Sequence, residues 1–345
     1  MMKIDGLRRH DVDAFGTRIH VAEVGDGPIV LFVHGFPESW YSWRNQLPVV
    51  AEAGWRAVAI DVRGYGSSES PGDIDAYRLV HLAGDCVGVV EALGETSAVI
   101  IGHDWGSPIA SAAARLRSDV FTAVGLLSVT YDPRNEHRPS EVFRAMGGED
   151  EFYIEYFQEP GRAETEIAED PARWLEGFYF SASGDNPPPA EGEKPMGLVA
   201  PGGRLADRMR FPDGQLDWMS ADDLAFYVDE FARAGFTGGL NRYRCVDLDW
   251  EDLRAWHGAP LHQPSLYVGG ERDGPTLWGA GSIARYPRTL PNCTPRWSSP
   301  GWVTGCSRKT RTGSTPRCSG ASPHWTSRLP ASPRVRPWRA TTGVP

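Results

Sequence analysis

Residues 98–116 restrict what this chain can fold into more than any other stretch. Ala98–Ile101 is a short apolar run, Gly102-His103-Asp104-Trp105-Gly106 follows it, and Ser107–Leu116 is rich in alanine. That order fits a buried strand, a turn with glycine at both ends, and a helix. Small flanking residues allow a sharp strand-to-helix turn that lifts the middle side chain, Asp104, above the end of a sheet. Ligand sites in open α/β sheets lie at the carboxyl ends of strands, where Asp104 falls. An ordinary tight turn capped by Asp would use the same residue types, so the motif needs support from the rest of the chain.

The rest of the first half repeats the rhythm. Arg18–Val24 alternates and Gly25-Asp26-Gly27-Pro28 turns into the apolar run Ile29–Val33, which predicts a hairpin leading into a buried strand. Trp43–Ala53 has helical spacing, Arg56–Ile60 is a further apolar strand, Tyr77–Leu93 reads as a helix closed by Gly94, and Phe121–Ser128 is the next strand. Buried strands separated by helices predict an α/β fold with a mostly parallel sheet. Residues 131–261 are polar, aromatic and mostly helical in pattern, interrupted by the Pro/Gly-rich stretch Asn186–Gly203, and strand rhythm returns at Pro264–Val268. The expected organisation is a core from 1–130 and 262–292, with 131–261 as a helical lid.

A second motif, His34-Gly35-Phe36-Pro37-Glu38-Ser39-Trp40, directly follows the strand Ile29–Val33. Backbone N–H groups of Phe36 and Trp105 can then point into one site and stabilise negative charge on an oxygen. Together, the run from His34 to Trp43, the run Asp61-Val62-Arg63-Gly64-Tyr65-Gly66-Ser67-Ser68, and Gly102–Gly106 resemble the epoxide hydrolases of the α/β-hydrolase fold. The resemblance spans roughly residues 15–292. It continues through Tyr156-Phe157-Gln158-Glu159-Pro160-Gly161 and through Gly235–Arg244.

The resemblance implies an Asp104 nucleophile, an oxyanion hole from Phe36 and Trp105, lid tyrosines at Tyr156 and Tyr243, and a triad acid at Asp273. Tyr153, Tyr179 and Tyr227 are read as packing residues, and Glu271 as the less favoured neighbour of Asp273. In the implied reaction, two tyrosine hydroxyls bind the epoxide oxygen while Asp104 opens the ring and forms an alkyl-enzyme ester. Water, activated by a histidine that Asp273 orients, then releases a vicinal diol. The implied partners are a small apolar epoxide and water, with no cofactor and no metal.

Other readings use the same residues. A dehalogenase of this fold also employs an Asp nucleophile, but the tyrosine pair favours an epoxide. A non-catalytic binder would keep the pocket without turnover. The chain has 45 acidic against 35 basic residues, which argues against a nucleic-acid partner. No run of 18 apolar residues exists, so no membrane span is expected. Met1–Ile19 has no apolar signal segment, which makes the cytoplasm the default expectation.

The sequence changes character near Asn292. Residues 293–345 contain no Asp or Glu, eight Arg, Lys309, and 29 residues that are Ser, Thr, Pro or Gly. Residues 1–292 alone carry a net charge of −19. Cys293, Cys306 and Cys318 lie in this tail, while Cys86 and Cys245 stand alone, so no disulfide framework or ligand spacing emerges. The resembled family places its general-base histidine about thirty residues after the acid, in a Gly-His-Trp context. That position falls near Val303-Thr304, and the only histidine after Asp273 is His324, too late and inside the tail.

The genetic code offers an account. Residues 292–309 can be written in codons whose third bases begin a second reading: Leu-His-Ala-Glu-Val-Val-Val-Pro-Gly-Leu-Gly-His-Trp-Leu-Gln-Gln-Glu. Synonymous codons are chosen here, so the reading establishes compatibility, although Trp302 has a single codon. A frameshift close to Asn292 then predicts that the chain as written loses its last strand, last helix and base, leaving 293–345 a disordered basic tail. A functional basic arm for anionic surfaces is the competing reading of the same arginines.

Overall fold

The computed structural model describes residues 3–298. Ten strands form: β1 (Arg8–Ala14), β2 (Thr17–Val24), β3 (Ile29–Val33), β4 (Arg56–Ile60), β5 (Ala98–His103), β6 (Phe121–Leu127), β7 (Glu151–Phe152), β8 (Leu198–Val199), β9 (Ser265–Gly270) and β10 (Cys293–Ser298). Eight make one sheet in the order β1-β2-β4-β3-β5-β6-β9-β10, and β7 and β8 pair separately. From β4 onward the neighbours in this sheet are parallel; β1 and β2 form an antiparallel edge. Every residue of β3 and β5 is buried, as parallel strands covered on both faces by helices must be.

The helices of the core are α1 (Gln46–Glu52), α2 (Leu79–Ala92) and α3 (Gly106–Leu116). The alanines of α3 let it lie close on the sheet: Ala110, Ala112, Ala113 and Ala114 are all fully buried. Between β6 and β9 come α4 (Pro139–Gly147), α5 (Tyr153–Tyr156), α6 (Arg162–Glu169), α7 (Pro171–Ser181), α8 (Ala221–Ala234), α9 (Thr237–Arg244) and α10 (Val246–Asp252). A further short helix, α11 (Gly274–Trp278), follows β9. Since β6 and β9 are neighbours in the sheet, the helices α4 to α10 are an insertion between adjacent strands.

The structure corrects two expectations. The hairpin is β1–β2, turning at Phe15-Gly16, and β2 does not pair with β3; β4 lies between them. The five consecutive apolar residues of β3 demand a place with neighbours on both sides, and the crossover through α1 supplies β4 there. The eighth strand, expected to be lost, is present: Cys293–Ser298 runs parallel to β9 with Cys293 opposite Ser265 and Ser298 opposite Gly270. A parallel ladder is built by main-chain groups, so it does not require a particular side-chain sequence at the edge of the sheet. The predicted missing helix, the position near Val303, and His324 lie outside the described residues.

Candidate active site

Asp104 stands at the junction of β5 and α3 with φ of +49°, the left-handed backbone that a sharp turn requires. The turn depends on absent side chains. A Cβ on Gly102 would lie 1.9 Å from the Gly106 carbonyl oxygen, and one on Gly106 would lie 2.0 Å from that of Val33. The loop after β3 comes equally close, since a Cβ on Gly35 would meet Asp104 at 2.4 Å. This approach brings the Phe36 N–H to 2.9 Å from Asp104 Oδ1, and the Trp105 N–H also bonds the carboxylate. Burial pushes the Asp104 pKa up to about 6, against the pull of His103 and of these two N–H groups.

A buried charge pair lies beside Asp104. His103 Nδ1 is 3.1 Å from Glu38 Oε2, and the same oxygen accepts the Gly35 N–H at 2.8 Å. Burial works against a charged His103, but the charge and hydrogen bond of Glu38, with Asp104 and Asp273 nearby, raise it to about 9. Burial likewise opposes the Glu38 carboxylate, yet His103 holds it below its ordinary value. His34 behaves oppositely: burial lowers it to about 4. Its Nε2 accepts the Val62 N–H at 3.0 Å, so Nδ1 carries the proton and donates to the Gly35 carbonyl at 2.8 Å. One histidine is thus a charged neighbour of Asp104, the other a neutral brace for the loop.

Tyr243 of α9 sits among these groups. Its ring packs edge-on to Phe36 at 5.4 Å and to Trp105 at 5.0 Å between centroids. Its hydroxyl is raised far above the ordinary range by burial, then by Tyr153 and Asp104, with a hydrogen bond from the Trp105 side chain opposing. Tyr153 lies 6.0 Å from Tyr243, ring to ring. Burial and the charges of Asp104 and Asp273 raise its hydroxyl too. Both phenols therefore stay protonated and able to donate.

Tyr156 is not brought to the site. Its hydroxyl donates to Glu166, a buried carboxylate that also takes the Trp174 indole N–H at 2.9 Å and the backbone N–H groups of Leu205 at 3.1 Å and Ala206 at 2.9 Å. A buried carboxylate must be given donors, and Tyr156 is one of them. The hydroxyl of Tyr156, expected at the site, is committed to Glu166, whereas that of Tyr153, read from sequence as packing, feels the Asp104 charge. Glu166, at the buried face of α6, is the signal that distinguishes the two tyrosines, and it becomes readable only once that helix is placed. Glu38 and His103 also escaped the sequence reading, although both lie inside the two motifs that were singled out.

Asp273 ends the loop after β9 and caps α11. Its carboxylate accepts the Thr276 N–H at 3.1 Å, the Thr276 hydroxyl at 2.5 Å and the Ser128 hydroxyl at 2.9 Å. Glu271 is exposed. Among the described residues no histidine hydrogen-bonds Asp273. Tyr179 donates to the Pro37 carbonyl and Tyr227 meets Ser42 at 2.9 Å, tying the insertion to the loop after β3. No described helix is long and apolar enough to cross a membrane.

The parallel sheet, the strained elbow and the facing N–H groups define a hydrolase-type α/β architecture. Residues 28–292 match the family described as alpha/beta hydrolase fold. A solved epoxide hydrolase from an endophytic Streptomyces superimposes with a TM-score of 0.81 at 56% identity, covering 84% of this chain and 87% of that one. Epoxide hydrolase A from Mycobacterium thermoresistibile gives 0.79 at 36% identity, covering 87% and 93%. Epoxide hydrolase B of Mycobacterium tuberculosis is 38% identical over 310 residues, covering 80% of this chain and 87% of the relative. The chain belongs to the epoxide hydrolases of the α/β-hydrolase fold family.

Proposed function

We propose that Asp104 opens a small apolar epoxide while Tyr153 and Tyr243, presented by a lid formed from residues 131–261, donate to the epoxide oxygen. A carboxylate oxygen of Asp104 attacks a ring carbon, the ring C–O bond breaks, and the oxygen takes a proton from a tyrosine. The product is an ester on Asp104. Phe36 and Trp105 N–H groups, which hold the resting carboxylate, then face the oxygen that becomes negative when water attacks the ester. The observation that carries this reading is one half-buried carboxylate between two backbone donors, with the buried phenol of Tyr243 and the half-buried phenol of Tyr153 both sensing its charge.

Asp273 has the place of the acid that orients a base, but the sequence supplies no histidine where the family would put one. Loss of a general base costs roughly 10²–10⁴-fold. The chain as written is therefore proposed to stop at the ester. Intact-mass measurement after incubation with an epoxide, followed by peptide mapping, tests this. The expected result is one added epoxide mass on the peptide holding Asp104, with little diol. Rapid diol release with no adduct would sink the half-reaction reading, and the absence of both products would favour a binder. Halide release from a haloalkane would favour a dehalogenase, a reading weakened by the Trp105 side chain, which hydrogen-bonds Tyr243.

A further inference from the structure

Arg242 precedes Tyr243 on α9 and is buried, as is Asp249 on α10. Its Nη2 pairs with the Asp249 carboxylate, and its Nη1 donates to the Tyr77 carbonyl at 2.5 Å. Asp249 in turn accepts the Leu79 N–H at 2.7 Å. One buried ion pair from the insertion therefore grips the core main chain at two positions, on either side of Arg78. Arg78 adds a pair to Asp252 at 3.1 Å, one turn further along. The guanidinium also lies over the Trp105 indole, 4.7 Å from the ring centroid, while Tyr243 meets that indole edge-on. Arg242 Nε is buried with no hydrogen-bond partner among the described residues, so the side chain is held through its two outer nitrogens and its flat face.

We propose that Arg242, held by Asp249, is a positioning residue: it seats Trp105 and fixes where the Tyr243 hydroxyl stands over Asp104. The inference rests on the ring-opening reading above. A planar fork suits this post, since it reaches an acceptor on the core and one on α10 while stacking on an aromatic ring. An ammonium keeps the charge but can neither fork nor stack. A misplacement on the order of 1 Å of a group that acts in the transition state costs up to about 10²-fold in rate without weakening binding.

The test is a double-mutant cycle on the single-turnover rate of Asp104 ester formation at saturating epoxide, with Arg242→Lys and Asp249→Asn each made alone and with Tyr243→Phe. Asp249→Asn keeps an acceptor for Leu79 and serves if Arg242→Lys does not fold. The expected result is a slowing of about 10-fold with the half-saturating epoxide concentration changed less than about twofold, and no further slowing when Tyr243 is already Phe. Equal fold losses with and without the Tyr243 hydroxyl, or a loss confined to half-saturation, would overturn the proposal. Tyrosine labelled with 13C at Cζ separates this from the underlying reaction. If the unsubstituted chain forms no ester, the ring-opening reading fails. A Tyr243 signal that moves in Arg242→Lys while that of Tyr156 stays still supports the clamp, and an unmoved Tyr243 signal refutes it.

Discussion

Asp104 combines two costly properties, a left-handed backbone and a half-buried carboxylate whose pKa is raised to about 6 by loss of solvent. The sign of the second is fixed by linkage. In the unfolded chain the carboxyl ionises near 3.8, so folding is opposed increasingly from there to about 6 and by a constant amount above. Asp104→Asn keeps an acceptor for the Phe36 N–H and tolerates positive φ. It is expected to stabilise the fold by on the order of 1–3 kcal/mol at neutral pH, an advantage that shrinks as the pH falls through that range. Urea titrations at several pH values measure it; an Asn variant no more stable than the parent at neutral pH would contradict the account. Ester formation by the parent should fall on acidification through about pH 6, because the protonated carboxyl cannot attack. His103 works the other way. Its pKa is raised to about 9, so its stabilisation is complete below 6.5 and is lost as pH rises through 9. Glu38→Gln is expected to remove that alkaline fall from a plot of Tm against pH. In the insertion, Tyr153→Phe should slow ester formation about 10²-fold, the scale for one such donor, whereas Tyr156→Phe should change it little. The reverse order in single-turnover rates would restore Tyr156. Asp104 was legible in the sequence because its setting is local, glycine by glycine. The tyrosine choice was not, because it turns on which hydroxyl a distant carboxylate, Glu166, claims.

The elements divide along the same line. Strands β3, β4 and β5 could be read directly because each is a run of apolar residues bounded by turns, and burial on both faces leaves such a run little alternative. Their pairing could not, since the placing of β4 between β2 and β3 depends on a crossover that leaves no periodicity of its own. The insertion was legible only as a change of rhythm. Its helices meet the core through aromatic edges and buried polar pairs, such as Phe36 with Tyr243 and Arg242 with Asp249, which no amphipathic pattern foretells. The elbow gives the clearest element-scale test. On Gly106 an added methyl would strike the Val33 carbonyl oxygen at 2.0 Å, a backbone atom that cannot swing aside. Gly106→Ala is expected to cost about 1–3 kcal/mol or more and to abolish ester formation. Gly84, inside α2, has nothing within 4 Å of the corresponding position. Gly84→Ala should therefore stabilise by about 0.5–1 kcal/mol and leave the chemistry alone. Denaturant midpoints for the pair, with equal m-values, decide whether the close approach at the elbow or glycine content in general sets the cost.

At the scale of the whole molecule the chain is divided at one point. The match to the alpha/beta hydrolase fold runs to residue 292, and the acidic, periodic sequence stops there as well. What the sheet needs from the next residues is main-chain pairing, which Cys293–Ser298 gives beside β9. What the proposed second half-reaction needs is a particular side chain, and Asp273 is bonded to Ser128 and Thr276. Leu277 and Trp278 of α11, next to that acid, are more than half exposed. Backbone pairing survives an altered reading frame, whereas a particular side chain does not, so the proposed frameshift close to Asn292 would account for a sheet that keeps its edge strand while, among the described residues, no histidine reaches Asp273. Two proteins separate this from a functional basic arm. One carries the sequence as written, and the other carries the alternate reading after Asn292, with its Gly-His-Trp. Under the frameshift account both form the Asp104 ester at similar rates, and only the second releases diol, faster by roughly 10²–10⁴-fold. It should also melt higher, because a last helix would cover apolar surface beside the sheet. Equal diol release from the two would mean that the tail as written supplies its own base, and resequencing across codons 285–310 would then return the sequence unchanged.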